Sequence, residues 1–351
     1  MALAADVVKA INKKVGVVAV KTGEEYENCS RIPTGVFELD LYTGGGVPEG
    51  KISIFYGLES SNKTNLALLT ARNDLLAHPN AVWVFIDVEN HFDKLWAKKL
   101  GVPVDRLIVA KPDYGEQAVD MADSFLEAED VRGLIIDSLA MMMPENEAEN
   151  TADRQQVGGN SVVVSKLMRK MTRRLLEAQT QNRYPTVICI NQVRMKIGVM
   201  FGDPETQAGG NALRFQSGLT LRLYGKDTIV KEVDKDLPTL KNTKCIIKKA
   251  KVPYLNKNFE FDLVVQPYKH MTYGDSDDWN CLFGQLKDMG WVDRVGNKWV
   301  FNEEEFKNAE ELRMSIYEDP DYLAELKLSI IRTRMDHQHG EGTFVEYGVG
   351  E

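Results

Sequence analysis

The sequence predicts an α/β protein whose mostly parallel sheet lies between two layers of helices, and three observations lead to that fold class. Between about residue 31 and residue 190, short continuous apolar segments alternate with segments of helical periodicity, the pattern of a parallel sheet covered on both faces. Each apolar segment ends in a glycine, a carboxylate or an amide side chain. Because ligands of such sheets bind beyond the carboxyl ends of the strands, these ends predict a ligand site.

Composition and charge exclude several other classes of protein. The 351 residues are 43% hydrophobic and 27% charged, as in globular proteins, and no apolar run approaches the roughly 20 residues that span a bilayer. The net charge of −9 argues against a protein that binds nucleic acid by overall charge alone. Four scattered cysteines without a CxxC pair argue against a zinc or redox motif and favour the cytoplasm.

The first thirty residues predict an N-terminal arm outside the globular core. An amphipathic helix with Leu3, Val7, Val8 and Ile11 on one face precedes a β-branched stretch over 15–20. The core follows, with strands predicted over 52–56, 81–86, 133–136 and 186–190, and helices over 65–76, 118–127 and 164–175.

A change in amino-acid composition near residue 270 predicts a small α+β C-terminal domain. It contains three tryptophans, an acidic segment over 303–331 that we expect to be helical, and a loose tail over 339–351. The predicted division is therefore an arm over 1–30, a core over 31–268, and a C-terminal domain with its tail over 269–351.

Residues 57–64 predict a phosphate-binding loop. They read GLESSNKT, which is the P-loop pattern GxxxxGK[ST] with Asn62 in place of the second glycine, between a predicted strand and a predicted helix as the pattern requires. Asparagine is among the few residues besides glycine that tolerate left-handed backbone angles. A plain loop with a chance NKT is the alternative. The predicted nucleotide-binding residues are Gly57, Leu58, Glu59, Ser60, Ser61, Asn62, Lys63, Thr64 and Asn65.

Two acidic residues at other strand ends complete a site for ATP and Mg²⁺. Lys63 would reach the β- and γ-phosphates, and the Thr64 hydroxyl would ligate Mg²⁺ together with Asp137, which ends the apolar run LIID. Glu89, in FIDVEN, could orient or deprotonate a water that attacks the γ-phosphate. The alternative is that both are ordinary strand-terminal acids.

Two basic stretches run against the overall negative charge. Residues 166–174 carry five positive charges and residues 244–257 carry five lysines, with no acid in either stretch. Each is either a solvated face or a surface for a polyanion.

One long segment of the sequence resembles a known protein family. Residues 190–215 read INQVRMKIGVMFGDPETQAGGNALRF and resemble the second DNA-binding loop of the RecA family of DNA recombinases almost residue for residue. The runs TGVFELD, GLESSNKTNLAL, FIDVEN and LIIDSLA match the same family in order and spacing. The resemblance covers about residues 30–265, and the short arm and altered P-loop make the chain similar to the UvsX recombinases of phages.

The resemblance implies roles for further residues around the nucleotide. Glu89 takes the place of the glutamate that activates water, and Gln192 that of the glutamine that senses the γ-phosphate and signals to the DNA loop. Asp93 and Trp96 fall where the family holds adenine. Lys249 and Lys251 resemble lysines that reach the ATP of the adjacent subunit, so the predicted catalytic set is Lys63, Glu89, Gln192, Lys249 and Lys251.

The resemblance also implies two DNA loops. The first, near 149–160, hardly matches the family, and we assign it no specific role. Residues 192–211 are the second, in which cations serve phosphates, apolar side chains wedge between bases and glycines give backbone freedom. A β-hairpin packed inside the domain is the alternative. The predicted DNA-binding residues are Arg194, Met195, Lys196, Ile197, Gly198, Val199, Met200, Phe201, Gly209, Gly210, Asn211 and Arg214.

The function implied is that of a RecA-like P-loop ATPase that polymerises on single-stranded DNA, with ATP bound between subunits, and exchanges strands with double-stranded DNA. Its expected partners are DNA, further copies of the chain in a helical filament, and single-strand-binding and loader proteins, with no membrane. Its expected location is the bacterial cytoplasm, including that of a phage-infected cell. A hexameric helicase and a DNA filament protein that does not hydrolyse nucleotide are the alternatives. Rings with directional unwinding would select the helicase, and filaments without turnover would select the filament protein.

Overall fold

The computed structural model describes residues 3–15, 29–149, 159–195 and 205–347. Its strands, in chain order, are β1 Arg31–Ile32, β2 Val47–Pro48, β3 Ile52–Gly57, β4 Val82–Asp87, β5 Leu107–Ala110, β6 Val131–Asp137, β7 Thr186–Met195, β8 Glu205–Gln207, β9 Leu219–Thr228, β10 Leu240–Ala250, β11 Asn258–Val264, β12 Val292–Val295, β13 Lys298–Phe301 and β14 Glu304–Phe306. Its helices are α1 Ala4–Val15, α2 Phe37–Thr43, α3 Lys63–Ala77, α4 Lys94–Lys99, α5 Gly115–Phe125, α6 Glu145–Glu149, α7 Gly159–Thr180, α8 Asn211–Gln216, α9 Trp279–Asp288, α10 Ala309–Tyr317 and α11 Pro320–His339.

A large sheet organises the core and confirms the predicted fold class. Its strand order is β11-β10-β9-β3-β7-β6-β4-β5. The strands from β9 to β5 run parallel, and β10 and β11 extend the sheet in antiparallel pairing. Every residue of β3 is buried, as the continuous apolar run predicts for a strand covered on both faces.

Helices cover both faces of the sheet because successive side chains of each strand point to opposite sides. Phe55 and Phe85 pack on one face with Leu69 of α3. Ile54 on the other face packs with residues of α5 and α7 such as Met171. The strand-and-helix order thus places the carboxyl ends of β3, β4, β6 and β7 at one edge of the sheet.

In the part of the C-terminal region that the structure describes, β12, β13 and β14 form a three-stranded antiparallel sheet next to α9, α10 and α11. A separate apolar cluster holds it together and includes Phe37 and Leu41 of α2, so this region packs directly on the core. The expectation of one helical segment over 303–331 is wrong. That segment contains β14, α10 and most of α11, because Asp319 caps a new helix at Pro320 by accepting from the backbone N–H groups of Asp321 and Tyr322.

The predicted loose tail is also wrong for the residues described up to 347. The hydroxyl of Tyr347 donates to the carboxylate of Asp74, a fully buried residue of α3, and its ring meets His78 edge-on at 5.5 Å. Glu346 pairs with Arg332 of α11. The contact of Tyr347 with Asp74 joins residues 273 positions apart, so no local pattern could signal it.

The arm is described only in part. Helix α1 confirms the predicted helix, and Leu3, Val7 and Ile11 on its apolar face are exposed. Most of the expected strand over 15–20 lies outside the described residues. In the parts of the chain that the structure describes, the helices are too short or too polar to cross a membrane.

Candidate nucleotide and DNA site

Four strand ends bring the predicted nucleotide residues to one edge of the sheet. Gly57, the last residue of β3, pairs in register with Gln192 of β7. Asp87, which ends β4, pairs with Asp137, which ends β6. Glu89 follows two residues after β4. The register therefore gathers residues that are 135 positions apart in sequence, between Gly57 and Gln192, around the start of α3.

The loop between β3 and α3 has the geometry of an anion-binding nest. Ser60 and Asn62 adopt positive φ angles of 57° and 66°, and α3 begins directly at Lys63 with its N-terminal N–H groups facing the loop. A Cβ on Gly57 would lie 2.3 Å from the Ser61 hydroxyl, and one on Gly225 of β9 would lie 2.4 Å from the Ser60 carbonyl. Both glycines are therefore needed for the loop to sit this close to the sheet.

The ammonium group of Lys63 folds over this loop. It donates to the carbonyl oxygen of Leu58 at 2.6 Å and to the hydroxyl of Ser61 at 3.3 Å. Burial lowers the pKa of Lys63, while Asp137 and Glu89 oppose that shift. A phosphate group in the loop would supply the opposite charge that the buried ammonium lacks.

The residues predicted to hold Mg²⁺ are in direct contact. The Thr64 hydroxyl donates to a carboxylate oxygen of Asp137 at 2.7 Å, and burial raises the pKa of Asp137 to about 6. Within the described ranges no group of three or more His, Cys, Asp or Glu forms a metal cage. The pair still fits Mg²⁺, which proteins bind through one or two oxygen ligands together with water and substrate phosphates.

Glu89 lies at the centre of a polar cluster beside the loop. One of its carboxylate oxygens accepts from the Ser138 hydroxyl and from the side-chain amide of Gln192 at 3.1 Å. Its other oxygen is 3.5 Å from Nδ1 of His91. The structure thus brings together the residues predicted to activate water and to sense nucleotide. Ser138 and His91 were not predicted as site residues.

The predicted adenine residues lie on α4 and differ in what they do. Asp93 caps α4 by accepting from the backbone N–H groups of Leu95 and Trp96, so its carboxylate already has a structural task. The Trp96 indole N–H donates to the side-chain oxygen of Asn65 at 2.8 Å. Tyr273 meets the Trp96 ring edge-on at 5.6 Å. Tyr273 was not predicted as a site residue, because its only signal is an aromatic before a glycine beyond the last core strand.

The stem of the predicted second DNA loop is a β-hairpin. β7 pairs with β8 from Val193 opposite Gln207 to Met195 opposite Glu205, and the exposed Arg194 lies between them. Gly209 and Gly210 have φ angles of 96° and 76°, and Arg214 of α8 is exposed. Outside the described residues lie Lys196, Ile197, Gly198, Val199, Met200 and Phe201, as does most of the predicted first loop.

A buried arginine links this stem to the edge of the sheet where the predicted nucleotide residues meet, here called the nucleotide edge. Arg222 of β9 is almost fully buried and binds Glu205 through two parallel contacts of 2.7 and 2.8 Å. Its guanidinium lies 3.9 Å from the ring centre of Tyr224 and 5.5 Å from that of Tyr56, the residue before Gly57. Such a bidentate, aromatic-flanked pair is geometrically specific. The sequence did not predict this pair, because its partners lie on different strands that α8 separates.

Lys249 and Lys251 lie at the end of β10, which extends to Ala250. Lys249 donates to the carbonyl oxygens of Arg214 and Phe215, and Lys251 donates to that of Phe215 at 2.9 Å. Within one subunit these lysines therefore bind the carboxyl end of α8, where free carbonyls favour cations. Burial lowers the pKa of Lys249.

The basic stretch over 166–174 is largely neutralised by its neighbours. Lys170, Arg173 and Arg174 of α7 all form ion pairs with Asp123 of α5. Asp120, Glu127 and Glu177 add further pairs. Lys166 and Arg169 are exposed. Most of the charge on this stretch therefore fastens two helices together.

Comparison with known proteins gives the family. Residues 2–267 match the family model described as the RecA N-terminal domain. The chain is 33% identical to Protein RecA of Aquifex pyrophilus over 92% of this chain and 88% of that protein. It is 38% identical to Protein RecA of Nautilia profundicola over 73% of this chain and 71% of that protein. A match of this extent, on a parallel sheet that carries a P-loop, shows that the chain belongs to the RecA family.

Proposed function

We propose that this chain is an ATP-dependent recombinase that polymerises on single-stranded DNA and exchanges strands with homologous double-stranded DNA. The observation that carries the proposal is the hydrogen bond between Glu89 and Gln192. It joins the carboxylate beside the phosphate loop to the strand that leads into the predicted DNA loop. A change at the γ-phosphate can therefore alter the stem of that loop through one contact.

The nucleotide is ATP, and several residues at the strand ends have tasks in its hydrolysis. Lys63 and the N–H groups of the loop bind the phosphates, and Thr64 and Asp137 would hold Mg²⁺, which would neutralise charge on the phosphates. Glu89 orients and deprotonates the attacking water, and Ser138 and Gln192 fix the direction of its carboxylate. The walls of the base site are Trp96 and Tyr273.

Assembly completes the site. We propose that Lys249 and Lys251 reach the γ-phosphate bound by the neighbouring subunit, with ATP between the two subunits. The exposed apolar side of α1 fits the role of an oligomerisation arm over 1–30, attached to a core over 31–268 and a C-terminal domain over 269–351. The proposed further partners are single-strand-binding and loader proteins. Four unpaired thiols among the described residues fit a bacterial cytoplasm.

ATP hydrolysis measured with and without single-stranded DNA, with the same samples imaged by negative-stain electron microscopy, tests this proposal. We expect DNA to stimulate hydrolysis and helical filaments to form on it with ATP. Closed hexameric rings that unwind duplex DNA would favour a helicase instead. Filaments with negligible turnover would favour a filament protein that does not hydrolyse ATP, and would point to Asn62 as the cause.

Binding to single-stranded DNA should weaken steeply as salt rises. For each phosphate that the protein neutralises, the slope of log affinity against log salt should be about −0.7. Replacing Arg194 and Lys196 with alanine should flatten that slope, as measured by fluorescence anisotropy.

Arg173→Ala is the matched control, because it removes an exposed cation that is already paired with Asp123 and Glu177. An unchanged slope in the Arg194/Lys196 variant would place the DNA elsewhere on the protein. A slope that flattens equally in the Arg173 variant would assign part of the DNA surface to α7.

A further inference from the structure

A row of side-chain hydrogen bonds crosses the nucleotide edge beneath the phosphate loop. The Asn62 amide nitrogen donates to the Thr243 hydroxyl oxygen at 2.7 Å. The Asn65 amide nitrogen donates to the Asn62 amide oxygen at 2.9 Å. The Trp96 indole nitrogen donates to the Asn65 amide oxygen at 2.8 Å. The row therefore runs from β10 through the loop and the first turn of α3 to the wall of the base site.

The direction of every bond in this row follows from Trp96, at the end next to the base site. An indole N–H can only donate, so Asn65 must accept with its oxygen, which leaves its amide nitrogen to donate to the oxygen of Asn62. The nitrogen of Asn62 then faces Thr243. Each side chain thus fixes the orientation of the next.

Asn62 is essential to this row and occupies the position where the P-loop pattern has glycine. Its left-handed backbone, with φ of 66°, directs the side chain away from the nest and onto β10, and it is 5% exposed. Thr243 is fully buried. Because buried polar groups are costly to leave unpaired, loss of the Thr243 acceptor would favour another orientation of the Asn62 amide and so weaken its bond to Asn65.

Trp96 needs such a support. It lies on α4, a helix of six residues, and its ring is only partly buried, with Tyr273 against its edge. A hydrogen bond from α3 limits the positions that the ring can adopt before nucleotide binds. Binding then orders fewer side chains, which improves affinity.

We propose that Asn62 and Asn65 are positioning residues that hold the Trp96 ring in a fixed position relative to the phosphate loop. The parts of the site that bind the base and the phosphates are then already ordered relative to each other before ATP binds. The inference rests on the proposed function, because it requires ATP in the loop and its base at Trp96. It goes further because it assigns a role in base recognition to Asn62, the residue found where the P-loop pattern has glycine.

Binding of two ligands by isothermal titration calorimetry tests the inference on the full chain. ATP reports on both halves of the site, and inorganic tripolyphosphate reports on the phosphate loop alone. In the Asn65→Ala variant we expect ATP affinity to fall about five- to tenfold, the scale of one side chain that must be ordered on binding, while tripolyphosphate affinity stays within about twofold of the unaltered chain.

Thr243→Val and Thr243→Ser form a matched pair at the far end of the row. Valine keeps the size of the side chain but removes the acceptor for Asn62, so ATP affinity should fall while tripolyphosphate affinity is retained. Serine keeps the hydroxyl and should restore ATP affinity. Their melting temperatures separate a general loss of stability from this pattern.

Two results would overturn the inference. One is an equal loss of both ligands in Asn65→Ala, which would make the row a support of the phosphate loop only. The other is unchanged ATP affinity in both Asn65→Ala and Thr243→Val. Failure of the unaltered chain to bind ATP would instead contradict the proposed function, so the two failures are distinguishable.

Discussion

Subunits in which Lys249 and Lys251 are both replaced with alanine should bind ATP yet hydrolyse it at least about 10³-fold more slowly, the effect of a cation supplied to a phosphoryl group from a neighbouring subunit. Mixing them with Lys63→Ala subunits, which also lack turnover because their phosphate loop has no ammonium group, should restore part of the activity. In a mixed filament some interfaces pair an intact loop with intact lysines. Steady-state ATP hydrolysis on single-stranded DNA measures the recovery.

Lys244→Ala/Lys248→Ala is the matched control for charge, because Lys244 and Lys248 are exposed lysines of the same strand. The double variant also loses hydrogen bonds to the end of α8, so its thermal melting must be compared with that of the unaltered chain. A mixture that stays inactive while electron microscopy shows both variants assembled on DNA would mean that the lysines do not act across the interface.

Glu89→Gln should lower ATP hydrolysis by about 10²-fold or more while ATP binding and filaments persist. Glutamine keeps an oxygen that can accept from Ser138 and Gln192, but it cannot take a proton from water, and removal of a general base costs a factor of this size. Single-turnover hydrolysis and ATP affinity are the measurements.

Glu129→Gln serves as the comparison for this variant, because it makes the same substitution at an exposed residue just before β6, at the ends of the strands opposite the site. It should not abolish the hydrolytic step. Loss of ATP binding in Glu89→Gln would instead assign Glu89 a structural role in the cluster.

The fold and the nucleotide edge were predictable because their signals are local. Continuous apolar runs marked β3, β4 and β6 to within two residues and gave the start of β7, although β7 extends five residues beyond its predicted end. The loop before Lys63 is a contiguous pattern. The boundary at Pro320 was missed although its signal is also local, because the acidic composition of the segment suggested one helix. The tail was missed for a different reason: the contact of Tyr347 with Asp74 depends on packing across the whole domain.

The same distinction explains what the sequence could not supply within the site. The P-loop pattern predicts only that Asn62 tolerates a left-handed backbone. The structure is needed to show that its side-chain amide donates to Thr243. Likewise, Arg222 carries no sign of its partner, because Glu205 lies on a different strand and α8 separates the two strands in sequence. Residues whose role depends on a partner brought near by the sheet register can be recognised only after the register is known.

The ion pairs between α5 and α7 alter the electric field that a distant polyanion would meet. An isolated row of cations attracts as a monopole out to about one Debye length, roughly 10 Å at 0.1 M salt. A cation with its counter-charge 2.8–3.8 Å away, as for Lys170, Arg173 and Arg174, is a dipole whose potential decays faster with distance. A chain of net charge −9 would therefore orient an approaching DNA strand through cations without such partners, and a count of basic residues along α7 overstates its reach.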